Sequence, residues 1–135
     1  MKNLTRKLSI LMAVPLLSGC IYGSTKLIYD KTTSIMSSST VNSTKIYLSV
    51  QKCDGEVKYQ ITVSEKMGLY INSNFWCDSG SVEMTVSDIN DEAFFNQTIN
   101  EDTNFDVELK EYGKYYITLN HSAFKGKYNI TWSGK

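Results

Sequence analysis

KIYLSVQKCDGEVKYQITV, residues 45–63, is the stretch that decides the fold. Ile46, Leu48 and Val50 alternate with Lys45, Tyr47, Ser49 and Gln51. Beyond Asp54-Gly55, Val57, Tyr59, Ile61 and Val63 alternate with Lys58, Gln60 and Thr62. A period of two places one residue set on each face of a β-strand. Two such runs around an Asp-Gly predict a β-hairpin.

The same pattern continues downstream. A strand is expected around Leu69 and Ile71 within 67–77, and Val82, Met84 and Val86 alternate in the next. Phe95 and Ile99 share a phase after the polar turn Asp88–Glu92. Phe105, Val107 and Leu109 follow, then Tyr115, Ile117 and Leu119 after Gly113, and Tyr128, Ile130 and Trp132 after Gly126. An interval of about 10 to 12 residues is the spacing of sandwiches and barrels. Helix formers are scarce: beyond residue 20 the only alanines are Ala93 and Ala123. Each strand has one apolar and one polar phase, so each sheet has one face to bury. The expected fold is an all-β, antiparallel β-sandwich of seven to eight strands, with a small open β-barrel as the alternative. The stretch from Phe105 to Leu119 resembles the strand–turn–strand of immunoglobulin-like sandwiches, in which a glycine turn precedes a core-closing aromatic.

The N-terminus reads as an address. Lys2, Arg6 and Lys7 precede a run from Leu8 to Leu17 that is apolar except for Ser9 and Pro15. That run is too short to span a bilayer, and its flanks are those of an export signal. It ends in Leu17-Ser18-Gly19-Cys20, which resembles the lipobox of bacterial lipoproteins. The resemblance implies removal of residues 1–19, acylation of Cys20 and membrane attachment through lipid. Ile21, where an inner-membrane retention signal would place aspartate, implies sorting to the outer membrane. The expected organisation is therefore a signal peptide over 1–19, a lipidated Cys20 with a Ser/Thr-rich tether over 20–44, and a β-sandwich domain over 45–135. Within the tether, Lys26–Tyr29 has the pattern of a short first strand.

With Cys20 committed to lipid, Cys53 and Cys77 form an even pair in an oxidising compartment, and a disulfide between them is expected. A metal or redox pair would call for C-x-x-C spacing or companion histidines, which neither cysteine has.

The whole chain carries 14 basic and 14 acidic side chains, and loss of residues 1–19 leaves 11 basic against 14 acidic. Such a domain lacks the basic stripe that nucleic acid requires, so a nucleic-acid partner is not expected. Catalytic patterns are sparse. His121 is placed in a loop after Asn120, no G-x-S-x-G occurs, and the carboxylates Asp88, Asp91, Glu92, Glu101 and Asp102 sit in expected turns. The Asp88–Glu92 turn lacks the glycine and spacing of an EF-hand loop. No enzyme activity, metal or cofactor is expected.

The aromatic residues carry more information. Tyr47 and Tyr116 lie on polar phases, Phe94 is out of phase with Phe95, and Phe75-Trp76 adjoins Cys77. Out-of-phase aromatics either bury at sheet ends or form a platform for sugar rings or a protein partner. Tyr47, Phe75, Trp76, Phe94 and Tyr116 are the candidate binding surface. The leading functional expectation is a non-catalytic protein-interaction module of the cell envelope with an envelope protein as partner. A carbohydrate- or peptidoglycan-binding module is one alternative. An inhibitor or exclusion factor against a phage, toxin or lytic enzyme is another.

Overall fold

The computed structural model describes residues 23–63 and 68–134. The signal segment, the lipobox and Cys20 lie outside the described residues. Seven strands follow in chain order: β1 (Gly23–Ile35), β2 (Ser38–Asn42), β3 (Lys45–Val63), β4 (Leu69–Asp88), β5 (Ala93–Ile99), β6 (Thr103–Leu109) and β7 (Gly113–Gly134). All pairings are antiparallel, in the order β1-β3-β7-β4-β5, with β2 also on β3 and β6 also on β4. The sheet does not close into a barrel, because β1 with β2 and β5 with β6 occupy opposite edges.

The expected all-β antiparallel architecture is present, but its strands are built differently. β4 has 20 residues, which at about 3.3 Å per residue would stretch ~66 Å if straight. It is not straight. Ser73 Oγ lies 3.8 Å from Met84 Sδ although both belong to β4. β7 likewise brings its own His121 and Tyr128 together, and Phe105 of β6 stacks on Phe95 of β5 at 5.2 Å between centroids. Each long strand therefore doubles back, and one hydrogen-bonded sheet folds over into two layers.

The crease is visible as breaks of register. The β3–β7 ladder shifts between Val50 and Gly55, and the β4–β7 ladder shifts between Cys77 and Ser81. Bulges of this kind are how strands turn the corner between packed sheets. The edges bend with them. β1 pairs with β3 as far as Ile35↔Lys52, and after a two-residue turn β2 resumes at Ser38↔Ser49. β5 and β6 follow β4 in the same way. Layer I thus holds residues 38–42, 45–50, 69–77, 103–109 and 126–134. Layer II holds 23–35, 53–63, 81–88, 93–99 and 113–124.

Between the layers lies a single core. Ile46, Ile71, Phe75, Tyr128 and Ile130 of layer I, with Val57, Ile61, Val82, Met84 and Leu119 of layer II, are all at most 4% exposed. Burying each such side chain stabilises the fold by about 1.5–3 kcal/mol before entropy is counted.

Backbone groups released from the ladder at the crease find side-chain partners, as buried polar backbone must. Asp54 accepts from Ala123 N at 2.8 Å, and Asp102 accepts from Cys77 N at 2.9 Å. Gly80 and Gly126 have φ of +73° and +151°, where side chains are strained. A Cβ on either would lie 2.1 Å from a carbonyl oxygen, that of Ala123 or Trp76 respectively.

The structure corrects three expectations. Asp54-Gly55 is not a hairpin turn: Cys53 pairs with Phe124 and Gly55 with His121, so the two alternating runs are one strand crossing the crease. The tether over 20–44 is strand from Gly23 to Asn42 apart from the turn at Met36-Ser37, because its alternation of threonine, serine and apolar residues suits a half-exposed edge ribbon. Cys53 and Cys77 are both free. They face β7 from opposite sides, Cys53 against Phe124 and Cys77 against Gly126. Two strand spacings, about 9.5 Å, exceed the ~7 Å that a disulfide spans between Cα atoms.

Two measurements check this architecture. Gly80→Ala and Gly126→Ala should each destabilise the fold by at least about 2 kcal/mol in urea unfolding, strain adding to overlap. Gly113→Ala, where a Cβ meets nothing within 4 Å, should cost less. Titration of unreduced, denatured protein should find both thiols free, and in native protein the half-exposed Cys77 should react well before the buried Cys53.

Candidate functional site

On the outer face of layer I, cross-strand register assembles polar rows. Thr40, Tyr47, Asn129, Asn74 and Asn104 stand abreast across β2, β3, β7, β4 and β6. One step towards the open end are Asn42, Lys45, Thr131, Asn72 and Asp106, and one step towards the crease are Ser38, Ser49, Lys127 and Trp76. Asparagine is depleted in strands, so a sheet face carrying Asn72, Asn74, Asn104 and Asn129 has no explanation in strand propensity.

Trp76 is an exposed aromatic of this face, which it shares with Tyr47 and Tyr70, with 41% of its surface exposed. The Lys127 ammonium sits 5.1 Å from its ring centroid, a cation–π contact. Two grooves adjoin at this residue. One, of about 390 Å³, is lined by Ser49, Gln51, Trp76, Asp78, Asp102 and Lys127, with Lys125 beside them. The other, of about 180 Å³, runs over Asn74, Trp76, Asp102, Thr103 and Asn104. Asp102 belongs to both, and its bond to Cys77 N anchors it there. In the larger groove the charges balance, Asp78 and Asp102 against Lys125 and Lys127. Asn72 donates to Asp106 at 2.6 Å, whereas Asn129 Oδ1 is shielded from solvent without a partner among the described residues.

The five candidate aromatics do not share one surface. Tyr47 and Trp76 share the outer face of layer I. Phe75 points the other way into the core, 2% exposed, because neighbours in a strand face opposite sides. Tyr116 lies on the outer face of layer II, half-buried under the Lys58 ammonium at 4.4 Å from its centroid. Phe94 is exposed at the end of layer II, edge-on to Tyr115. Sequence reading missed Asn74, Asn104, Asn129 and Lys127, and read Asp102 only as a turn carboxylate. Their signal was asparagine on the polar phase of strands, as in Asn72-x-Asn74.

A second cavity, about 100 Å³, lies beneath the edge ribbon and is lined by Asp30, Ser34, Ser39, Cys53, Tyr59 and His121 among others. A thiol and a phenol of its lining are held neutral. Burial pushes the Cys53 thiol up to about 11 and the Tyr59 phenol up to about 12. A thiol so raised is no nucleophile at neutral pH. His121 is not the expected loop residue but a buried strand residue. Its Nδ1–H donates to the Gly55 carbonyl at 2.9 Å, and its Nε2 accepts from the buried Tyr128 hydroxyl at 2.9 Å. Burial lowers its pKa below 6.5. In the Asp88–Glu92 turn, Asp88 Oδ1 accepts from the amides of Asn90 and Glu92, and Asp91 pairs with Lys58 at 2.8 Å. Among the described residues, no three His, Cys, Asp or Glu side chains gather as a metal site.

No protein-family model matches the chain, and no curated protein sequence matches it. Similar solved structures include a CBM4 (carbohydrate-binding module) structure, 11% identical over 82% of this chain and 78% of that one, TM-score 0.45. CBM35 from Paenibacillus barcinonensis is 11% identical over 83% and 99%, TM-score 0.43. Tailspike protein 4 of bacteriophage CBA120 is 17% identical over 84% of this chain but 19% of that chain, TM-score 0.40. At such scores none of these likenesses assigns a ligand to this chain.

The histidine gives a test of pH. Its folded pKa is depressed, so its contribution is complete above 6.5 and is lost as pH falls, when the unfolded chain takes the proton more readily. The urea midpoint should decline below pH 6.5, and His121→Gln should flatten that decline while lowering stability at neutral pH.

Proposed function

We propose that this protein is a non-catalytic binding module of the bacterial cell envelope, held to the outer membrane by lipid on Cys20, and that the outer face of layer I binds a glycan. The observation that carries the reading is Trp76, an exposed indole at the junction of two polar grooves whose Asn74, Asn104 and Asp102 can address sugar hydroxyls. A sugar ring offers an apolar face and a rim of hydroxyls. An indole bordered by amides and a carboxylate is complementary to both. The balanced charge of the larger groove favours a neutral polyhydroxylated ligand.

A protein partner recognised by clustered aromatics is less well supported, since Tyr47, Trp76, Phe94 and Tyr116 are divided among separate surfaces and Phe75 is core. Nothing distinguishes an inhibitor or exclusion factor from a glycan binder except the ligand.

Co-sedimentation with purified peptidoglycan sacculi and with envelope polysaccharide tests the assignment. Binding should change little with salt, unlike a charge-driven contact. Trp76→Ala should weaken it by about 2 kcal/mol, roughly thirtyfold, the loss typical of a central aromatic anchor. Tyr116→Ala, on the opposite face, should leave it intact. Equal binding by the Trp76→Ala chain would overturn the site.

A further inference from the structure

β1 begins at Gly23, which pairs with Val63 of β3, and Val63 pairs in turn with Gly113 at the start of β7. The end of the molecule where β1 starts, opposite the crease, therefore also holds the β4–β5 turn and the β6–β7 turn. Those turns and the start of β5 expose large apolar side chains. Ile89 and Phe94 are 50% exposed and Tyr112 is 66% exposed. Leu27 and Ile28 on the adjoining edge strand are exposed as well. No apolar core needs these residues, and water is a poor environment for all of them together.

Gly23 is three residues after Cys20. A fully extended chain spans at most ~3.6 Å per residue, so a lipid-bearing Cys20 keeps the start of β1 within about 11 Å of its sulfur-bearing residue. That distance is comparable with the headgroup layer of a bilayer. The tether expected from the sequence would have let the domain roam; three residues do not. We propose that the open end of the sandwich is seated in the lipid headgroup layer, with Ile89, Phe94 and Tyr112 as its contacts. This inference rests on the reading of Cys20 as lipidated. Tyrosine favours that layer, as does tryptophan, because its ring is amphipathic. The charges nearby, Asp88, Asp91, Glu92 and Glu111 against Lys110 and Lys114, leave a net negative end that anionic lipid repels, so the seating is apolar and weakens as anionic lipid is added. Ile35 and Met36 are also exposed, but they lie at the crease. Twelve residues of strand, ~40 Å, separate Ile35 from Gly23 and keep it off the bilayer.

The test uses the acylated full chain in phosphatidylcholine vesicles whose acyl chains carry bromine, a short-range quencher of indole emission. Phe94→Trp and Tyr112→Trp are compared with the unsubstituted chain, and mass spectrometry of the Cys20 peptide reports acylation. Both positions are exposed, so both chains should fold. Quenching at least about twofold greater than in the unsubstituted chain on neutral phosphatidylcholine, and no greater when anionic lipid is added, is the expected result. Acylated chains quenched no more than the unsubstituted one would overturn the seating while leaving the anchor in place. A bare Cys20 would overturn both.

Discussion

A sheet of long strands must bend to enclose its own apolar face, and the crease in this protein is where that requirement is met. Without bulges at Val50–Gly55 and Cys77–Ser81, β3, β4 and β7 would each be extended ladders with one dry face left in water. Bending costs hydrogen bonds. Asp54, Asp102 and the His121 imidazole occupy positions where the ladder fails, bonding Ala123 N, Cys77 N and the Gly55 carbonyl. Close backbone contact at the same line leaves no room for a side chain at Gly80 or Gly126. Sequence, local geometry and core packing are joined at this one feature.

The crease also divides the molecule into two working ends. Trp76 and its grooves sit beside it, and Asp102 serves both the bent backbone and the groove wall. The start of β1, the exposed Ile89, Phe94 and Tyr112, and the β6–β7 turn are at the other end. Seven residues of β4 from Leu69 to Trp76 place the indole about 23 Å from the open end. In the arrangement proposed here, lipid holds one end while the polar face of layer I is presented away from the bilayer. Rigidity replaces reach: the ribbon that resembled a tether is part of the sheet.

Strand phase was legible in the sequence because burial enforces a period of two. Val82, Met84, Val86, Ile117 and Leu119 all point where their alternation predicts. What alternation does not encode is whether an interruption is a turn or a bulge. Asp54-Gly55 has the chemistry of a hairpin, yet Gly55 stays paired with His121 because β7 offers a continuous partner. The same ambiguity hid the crease at Gly80 and Gly126, and with it the separation of Cys53 from Cys77 by a whole strand. The serine- and threonine-rich segment misled for a related reason, since an edge ribbon needs little apolar surface. Of the proposed site, Trp76 was visible as a candidate aromatic beside Phe75 and Cys77. Asn74, Asn104 and Asn129 became meaningful only when register set them side by side.

Backbone amide chemical-shift mapping during titration with a soluble oligosaccharide released from sacculi tests the central claim most directly. The account predicts shifts that cluster on Ser49, Asn74, Trp76, Asp102, Asn104 and Lys127, spanning four strands joined only by the folded sheet. Shifts confined to the outer face of layer II or to the open end, or none at saturating sugar, would contradict it.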